Sequence, residues 1–147
     1  MAQPFPNHPN LRGGFAPLQM ECDVNDLVIE GEIPRALNGS FYRNGPNPQY
    51  APRGHYHWFG GDGMVHAFHV EDGRVAYRNR WVRTIKWQKE REAGRSLFSA
   101  FNPLDNDDSV AGLETDGVAN TNIIWHGGKL LALEAGSYTH LRAHETS

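Results

Sequence analysis

The stretch MVHAFHVEDGRVAYRNRWVRT, residues 64–84, constrains the fold more than any other part of the chain. Its second half alternates, with Val75, Tyr77 and Trp81 on one side and Arg74, Arg78 and Arg80 on the other. Period two over about ten residues marks a half-buried strand, because successive side chains on a pleated backbone point to opposite faces. The first half alternates more weakly: Met64, His66, Phe68 and Val70 share one face, and Val65, Ala67 and His69 the other. Between the halves, Glu71-Asp72-Gly73 is a hairpin turn, with glycine where φ > 0 is needed. The expectation is a hairpin that buries Val75, Tyr77 and Trp81.

Other segments carry similar punctuation. Residues 26–33 (DLVIEGEI) are a short apolar run ended by Pro34, which cannot donate to a ladder. In NGSFYRNGPNPQY, Phe41 and Arg43 face one way and Tyr42 the other, and the strand gives way to the turn-rich NGPNP. The run IKWQKEREA, residues 85–93, is rich in helix formers and has Gly94 as its C-cap. It is expected to pack Trp87 inward and to show Lys86, Lys89 and Glu90 to solvent. Residues 102–117 read as a long acidic loop, followed by a hairpin, TNIIWH and KLLALE, around Gly127-Gly128. The fold class is therefore all-β, with one short helix. A propeller blade takes about 40–45 residues, so a chain of this length holds roughly three blades and cannot close a ring.

Composition narrows the setting. A net charge of -3 gives no reason to expect nucleic acid. No apolar run approaches the roughly 20 residues of a membrane span. The start, MAQPFPNHPN, has neither the basic nor the apolar region of a secretory signal. Cys22, the single cysteine, has no internal partner, which suits a reducing, cytoplasmic compartment. Four prolines before Leu18 make residues 1–24 an extended N-terminal arm. At the other end, SYTHLRAHET resembles a reading-frame translation of a transposon-end adaptor used in DNA library preparation. Residues 137–147 are thus expected to be non-native, with His140 and His144 carrying no chemistry.

His55, His57, His66 and His69 surround a Gly-Gly-Asp-Gly turn and invite a metal reading. Two residues apart, His55 and His57 would share a strand face; three apart, His66 and His69 would face opposite ways. At most three of the four could converge on one ion, and imidazole–metal bonds of about 2.0–2.1 Å need convergence. The residues favour strand packing. GGDG lacks the spacing and the following helix of a nucleotide loop. A small histidine-rich metal protein, complete in itself, requires the tail to be native.

Three segments, EIPRALNGSFYRNGPNP, WFGGDGMVHAFHVEDGRVAYRNRWVRT and GVANTNIIWHGGKLLALE, resemble the opening of the carotenoid cleavage oxygenases. That family includes apocarotenoid-, lignostilbene- and isoeugenol-cleaving enzymes. The resemblance is collinear over residues 25–134 and covers less than a third of a typical member. It implies that residues 25–136 are the N-terminal part of a seven-bladed β-propeller, and that the parent protein cleaves a carbon–carbon double bond with O2. It also implies ferrous iron, Fe(2+), held on the propeller axis by four histidines from four blades. Such imidazoles would leave the iron its full charge and open positions for O2. Those histidines belong to motifs beyond this chain. None of His55, His57, His66 or His69 matches one, so no catalytic residue, metal ligand or bound iron is expected here.

Three substrate positions carry over. An aromatic in the WF-x-GDG segment lines the cavity of aryl-alkene cleaving relatives, and Phe59 matches it. The tyrosine and lysine that grip a phenol oxygen in lignostilbene cleavers are replaced by Phe101 and Glu134. An apolar carotenoid or apocarotenoid is thus implied over a phenolic stilbene, with O2 as co-substrate and room for peripheral membrane contact to obtain it. An aryl-alkene oxygenase and a non-catalytic propeller module that binds a partner are the alternatives.

Overall fold

A computed structural model of the chain describes residues 3–115, 117–134 and, for the backbone alone, 142–143. It contains two open antiparallel sheets. The first takes β1 (Asp23–Val24), β2 (Gly39–Pro46), β3 (Gly63–Glu71) and β4 (Arg74–Trp81) in the order β1-β4-β3-β2. The second takes β5 (Asn122–His126), β6 (Lys129–Leu133) and β7 (Arg142–Ala143) in chain order. One α-helix, α1 (Ile85–Ala93), follows β4. Both hairpins and the helix fall where the sequence places them. The tail assigned to an adaptor lies outside the described residues, apart from the backbone of β7.

The central hairpin pairs Met64 with Trp81 and Glu71 with Arg74, and turns where Asp72 and Gly73 take φ of 47° and 77°. Two positive φ values in a two-residue turn match the right-handed twist of the flanking strands. Trp81 is buried, as its period requires, but Val75 and Tyr77 are only half-buried. The most buried residue of β4 is Asn79, at 0% exposure. Its Oδ1 accepts from the Cys22 amide at 2.7 Å, and its Nδ2 donates to the Met20 carbonyl at 2.9 Å. A buried amide is stable only with such partners, and here they tie the N-terminal arm to the sheet. The arm is thus anchored: Leu11 is buried within it, and β1 joins the edge of the sheet. Arg78 and Arg80 both pair with Asp23 there.

Residues 26–33 do not form a strand, and Val28 is 97% exposed. The Leu27 amide donates to the Val75 carbonyl at 2.8 Å and Asp26 pairs with Arg74 at 2.8 Å, and these two ties hold the segment against β4. His55 and His57 do not share a strand either. They lie in a loop between Gly54, at φ 63°, and the 3-10 turn Trp58–Gly60.

Helix α1 starts at Thr84, whose side chain accepts from the Trp87 amide, and ends at Gly94 in the left-handed conformation. Trp87 packs inward against Trp81 and Met64. The expected exposure of Lys86 and Glu90 is wrong, and only Lys89 is exposed. Lys86 Nζ donates to Asp62 Oδ1 at 2.7 Å and to Glu90 Oε2 at 2.8 Å. Burying a charge requires a partner of opposite sign, and Asp62 lies 24 residues away in the chain, beyond the reach of helical periodicity.

Candidate functional site

The segment GGDG is built for close packing. A Cβ on Gly60 would overlap Ala100, and one on Gly63 would overlap the Ala119 carbonyl. Asp62 sits at the centre of the turn, with Oδ2 accepting from the Gln49 amide at 3.0 Å. Glu90 Oε1 accepts from the Leu97 and Phe98 amides at 2.9 and 3.0 Å, fixing the chain just before Phe101. Burial works against the ammonium of Lys86, but the Asp62 and Glu90 carboxylates overcome it and hold the group above the ordinary lysine range. Burial and the nearby Asp62 likewise keep the Tyr56 hydroxyl protonated. The ion set is thus a rigid floor joining the 58–63 turn, α1 and the 96–101 segment.

Above it lies a cavity of about 740 Å³. Phe59, Phe101 and Glu134, the three positions singled out in the sequence, all line it. Phe59 and Phe101 are 66% and 54% exposed, so their rings present open apolar surface. His57 holds them in a shared aromatic group. Its ring meets Phe59 edge-on at 4.5 Å and Phe101 at 6.2 Å, and its Nδ1 accepts from the Phe59 amide at 3.2 Å. Trp58 stacks beside Phe59 at 5.8 Å. Sequence reasoning missed Asn120, whose Nδ2 donates to the carbonyls of Phe59 and Gly61 at 2.8 and 2.6 Å. No period or motif marks that asparagine.

Glu134 faces the cavity from the end of β6. Its Oε2 accepts from the Val118 amide at 2.9 Å. Gly117, at φ 77°, passes so close to this carboxylate that any Cβ would overlap it. A side chain there would displace the Glu134 carboxylate, and the backbone conformation itself favours glycine.

His66 and His69 are engaged elsewhere. His66 Nδ1 lies 2.7 Å from the Tyr77 hydroxyl, and burial, then the positive Arg43, hold its imidazole below the usual range. His69 Nδ1 lies 2.9 Å from Ser40 Oγ, while His55 is exposed. Among the described residues, no three His, Cys, Asp or Glu side chains converge as a metal site. These residues do not fit an iron centre.

The family model described as retinal pigment epithelial membrane protein matches residues 15–145. The isoeugenol monooxygenase of Pseudomonas nitroreducens is 47% identical over 91% of this chain and 28% of its own length. The lignostilbene dioxygenase of Pseudomonas brassicacearum superposes with a TM-score of 0.83 at 41% identity, over 90% of this chain and 28% of that one. A variant of the Synechocystis apocarotenoid oxygenase gives a TM-score of 0.69 at 35% identity, over 82% and 26%. The chain therefore spans little more than a quarter of the length of these relatives.

Proposed function

This chain belongs to the carotenoid oxygenase family, and we propose that the full-length protein uses O2 to cleave a carbon–carbon double bond of an apolar alkene held in this cavity. The observation that carries the reading is the cavity wall, where Phe59, Phe101, Leu113, Val118 and Pro46 offer apolar contact. Transfer of alkene surface from water to such a wall is favourable by about 25 cal/mol per Å².

A carotenoid or apocarotenoid is the preferred substrate. Phe101 has no hydroxyl, and the Glu134 carboxylate accepts hydrogen bonds and cannot donate to a phenol oxygen. Phe59 and Phe101 orient the alkene and exclude water, while the bond from Val118 to Glu134 fixes the far wall. The higher identity to isoeugenol- and lignostilbene-cleaving relatives favours an aryl-alkene as the second reading.

Ferrous iron, when bound, would supply the site where O2 binds beside the alkene. We assign its four histidine ligands to the part of the family's length that this chain does not span. We also assign the protein to the cytoplasm, with peripheral membrane contact as its route to substrate. No described helix is long and apolar enough to cross a membrane.

The test is incubation of the full-length protein under O2 with apo-8′-carotenal and, separately, 4-hydroxystilbene, with chromatography of the aldehyde products. Cleavage of the apocarotenal is expected. Efficient turnover of the stilbene alone would establish the aryl-alkene reading, and cleavage of neither would leave a non-catalytic binding module.

A further inference from the structure

We infer that Lys86 is a specificity-determining residue of the cavity, donating a hydrogen bond to a neutral oxygen at one end of the alkene. The inference rests on the alkene reading above and deepens it. Lys86 lines the cavity although only 8% of it is exposed. An ammonium has three N–H donors. Two reach Asp62 and Glu90, and the third has no acceptor among the described residues. An unmet donor on a buried charge is costly, so an oxygen that reaches it gains more than it would from water.

Charge selects which oxygen. Among the described residues at and just behind the wall, Arg43 and Lys86 stand against Asp62, Glu90 and Glu134, which leaves one net negative charge. A carboxylate or phenolate would meet that excess, whereas a hydroxyl or carbonyl accepts the hydrogen bond without it. Of the other charged residues at the wall, Glu134 offers no side-chain donor, and Arg43 is exposed, so water meets its donors. The ligand class is therefore a polyene ending in an alcohol, aldehyde or ketone.

Three retinoids with one polyene and different ends separate these effects: retinol, its hydrocarbon counterpart axerophtene, and retinoic acid. Their binding to the full-length protein is read by quenching of tryptophan fluorescence, since Trp58 lines the cavity. Retinol should bind roughly tenfold more tightly than axerophtene, the ratio expected of one hydrogen bond to a charged donor. Retinoic acid should bind more weakly than retinol. In the triple variant Lys86→Met, Asp62→Asn, Glu90→Gln, which leaves no unpaired carboxylate, the preference for retinol over axerophtene should vanish. Far-ultraviolet circular dichroism verifies that the variant is folded. The wild-type comparison stands without it.

Equal binding of retinol and axerophtene by the wild type would overturn the role of Lys86 and leave the alkene cavity intact. So would a folded triple variant that keeps the preference, or tighter binding of retinoic acid. Failure of all three retinoids to bind, axerophtene included, would overturn the alkene cavity and this inference together.

Discussion

Asp62 and Lys86 form a buried ion pair at 2.7 Å that joins the GGDG turn to the helix after β4. Glu90 completes the set from the next turn of that helix, 2.8 Å from the same ammonium. Removing the shared cation strands two carboxylates in a water-poor site. Lys86→Met is expected to destabilise the protein by about 3–5 kcal/mol. Lys89→Met, at an exposed position three residues on, is expected to stay within about 0.5 kcal/mol. Urea unfolding of the two variants gives both numbers, and equal small effects would remove the triad from its structural role.

His66 makes stability depend on mild acid. The folded imidazole, held down by burial and by Arg43, takes its proton below the ordinary value of 6.5. Between those two values the unfolded chain binds more proton than the folded one, so stability falls as pH drops. The contribution is intact above pH 6.5 and lost on passing down through the folded value. Melting temperature should decline more steeply as pH falls below 6.5 in the wild type than in His66→Gln. Parallel profiles would sink the assignment.

Asn79 anchors the arm through bonds to the Cys22 amide and the Met20 carbonyl. Asn79→Ala leaves both backbone groups without their partner and is expected to cost about 1–3 kcal/mol. Limited proteolysis should then cut within residues 16–24 faster than elsewhere. An unchanged cleavage pattern would show that β1 holds the arm without Asn79.

What the sequence displays and what it conceals divide along range. The 64–84 hairpin is legible because its period and turn are local, and the same holds for α1, with Thr84 before it and Gly94 after. The burial of Lys86 and Glu90 is not legible, because Asp62 reaches them only once the chain has folded back. Asn79 and Asn120 escape for the same reason, their partners lying 57 to 61 residues away. Phe59, Phe101 and Glu134 were accessible only through family resemblance, since nothing in their local pattern sets them apart from surface or packing residues. The GGDG segment shows its glycines plainly but not their purpose, which is contact with Ala100 and Ala119.

The most direct measurement is the KM for alkene cleavage by the full-length protein in Phe59→Ala and Phe101→Ala, taken together with melting temperature. Both rings are more than half exposed and line the cavity, so their loss should cost substrate contact and little stability. Each variant should raise KM by roughly fivefold to thirtyfold, the range for removing one apolar contact of about 1–2 kcal/mol, and leave the melting temperature nearly unchanged. Unaltered kcat and KM in both variants would contradict the placement of the alkene in this cavity.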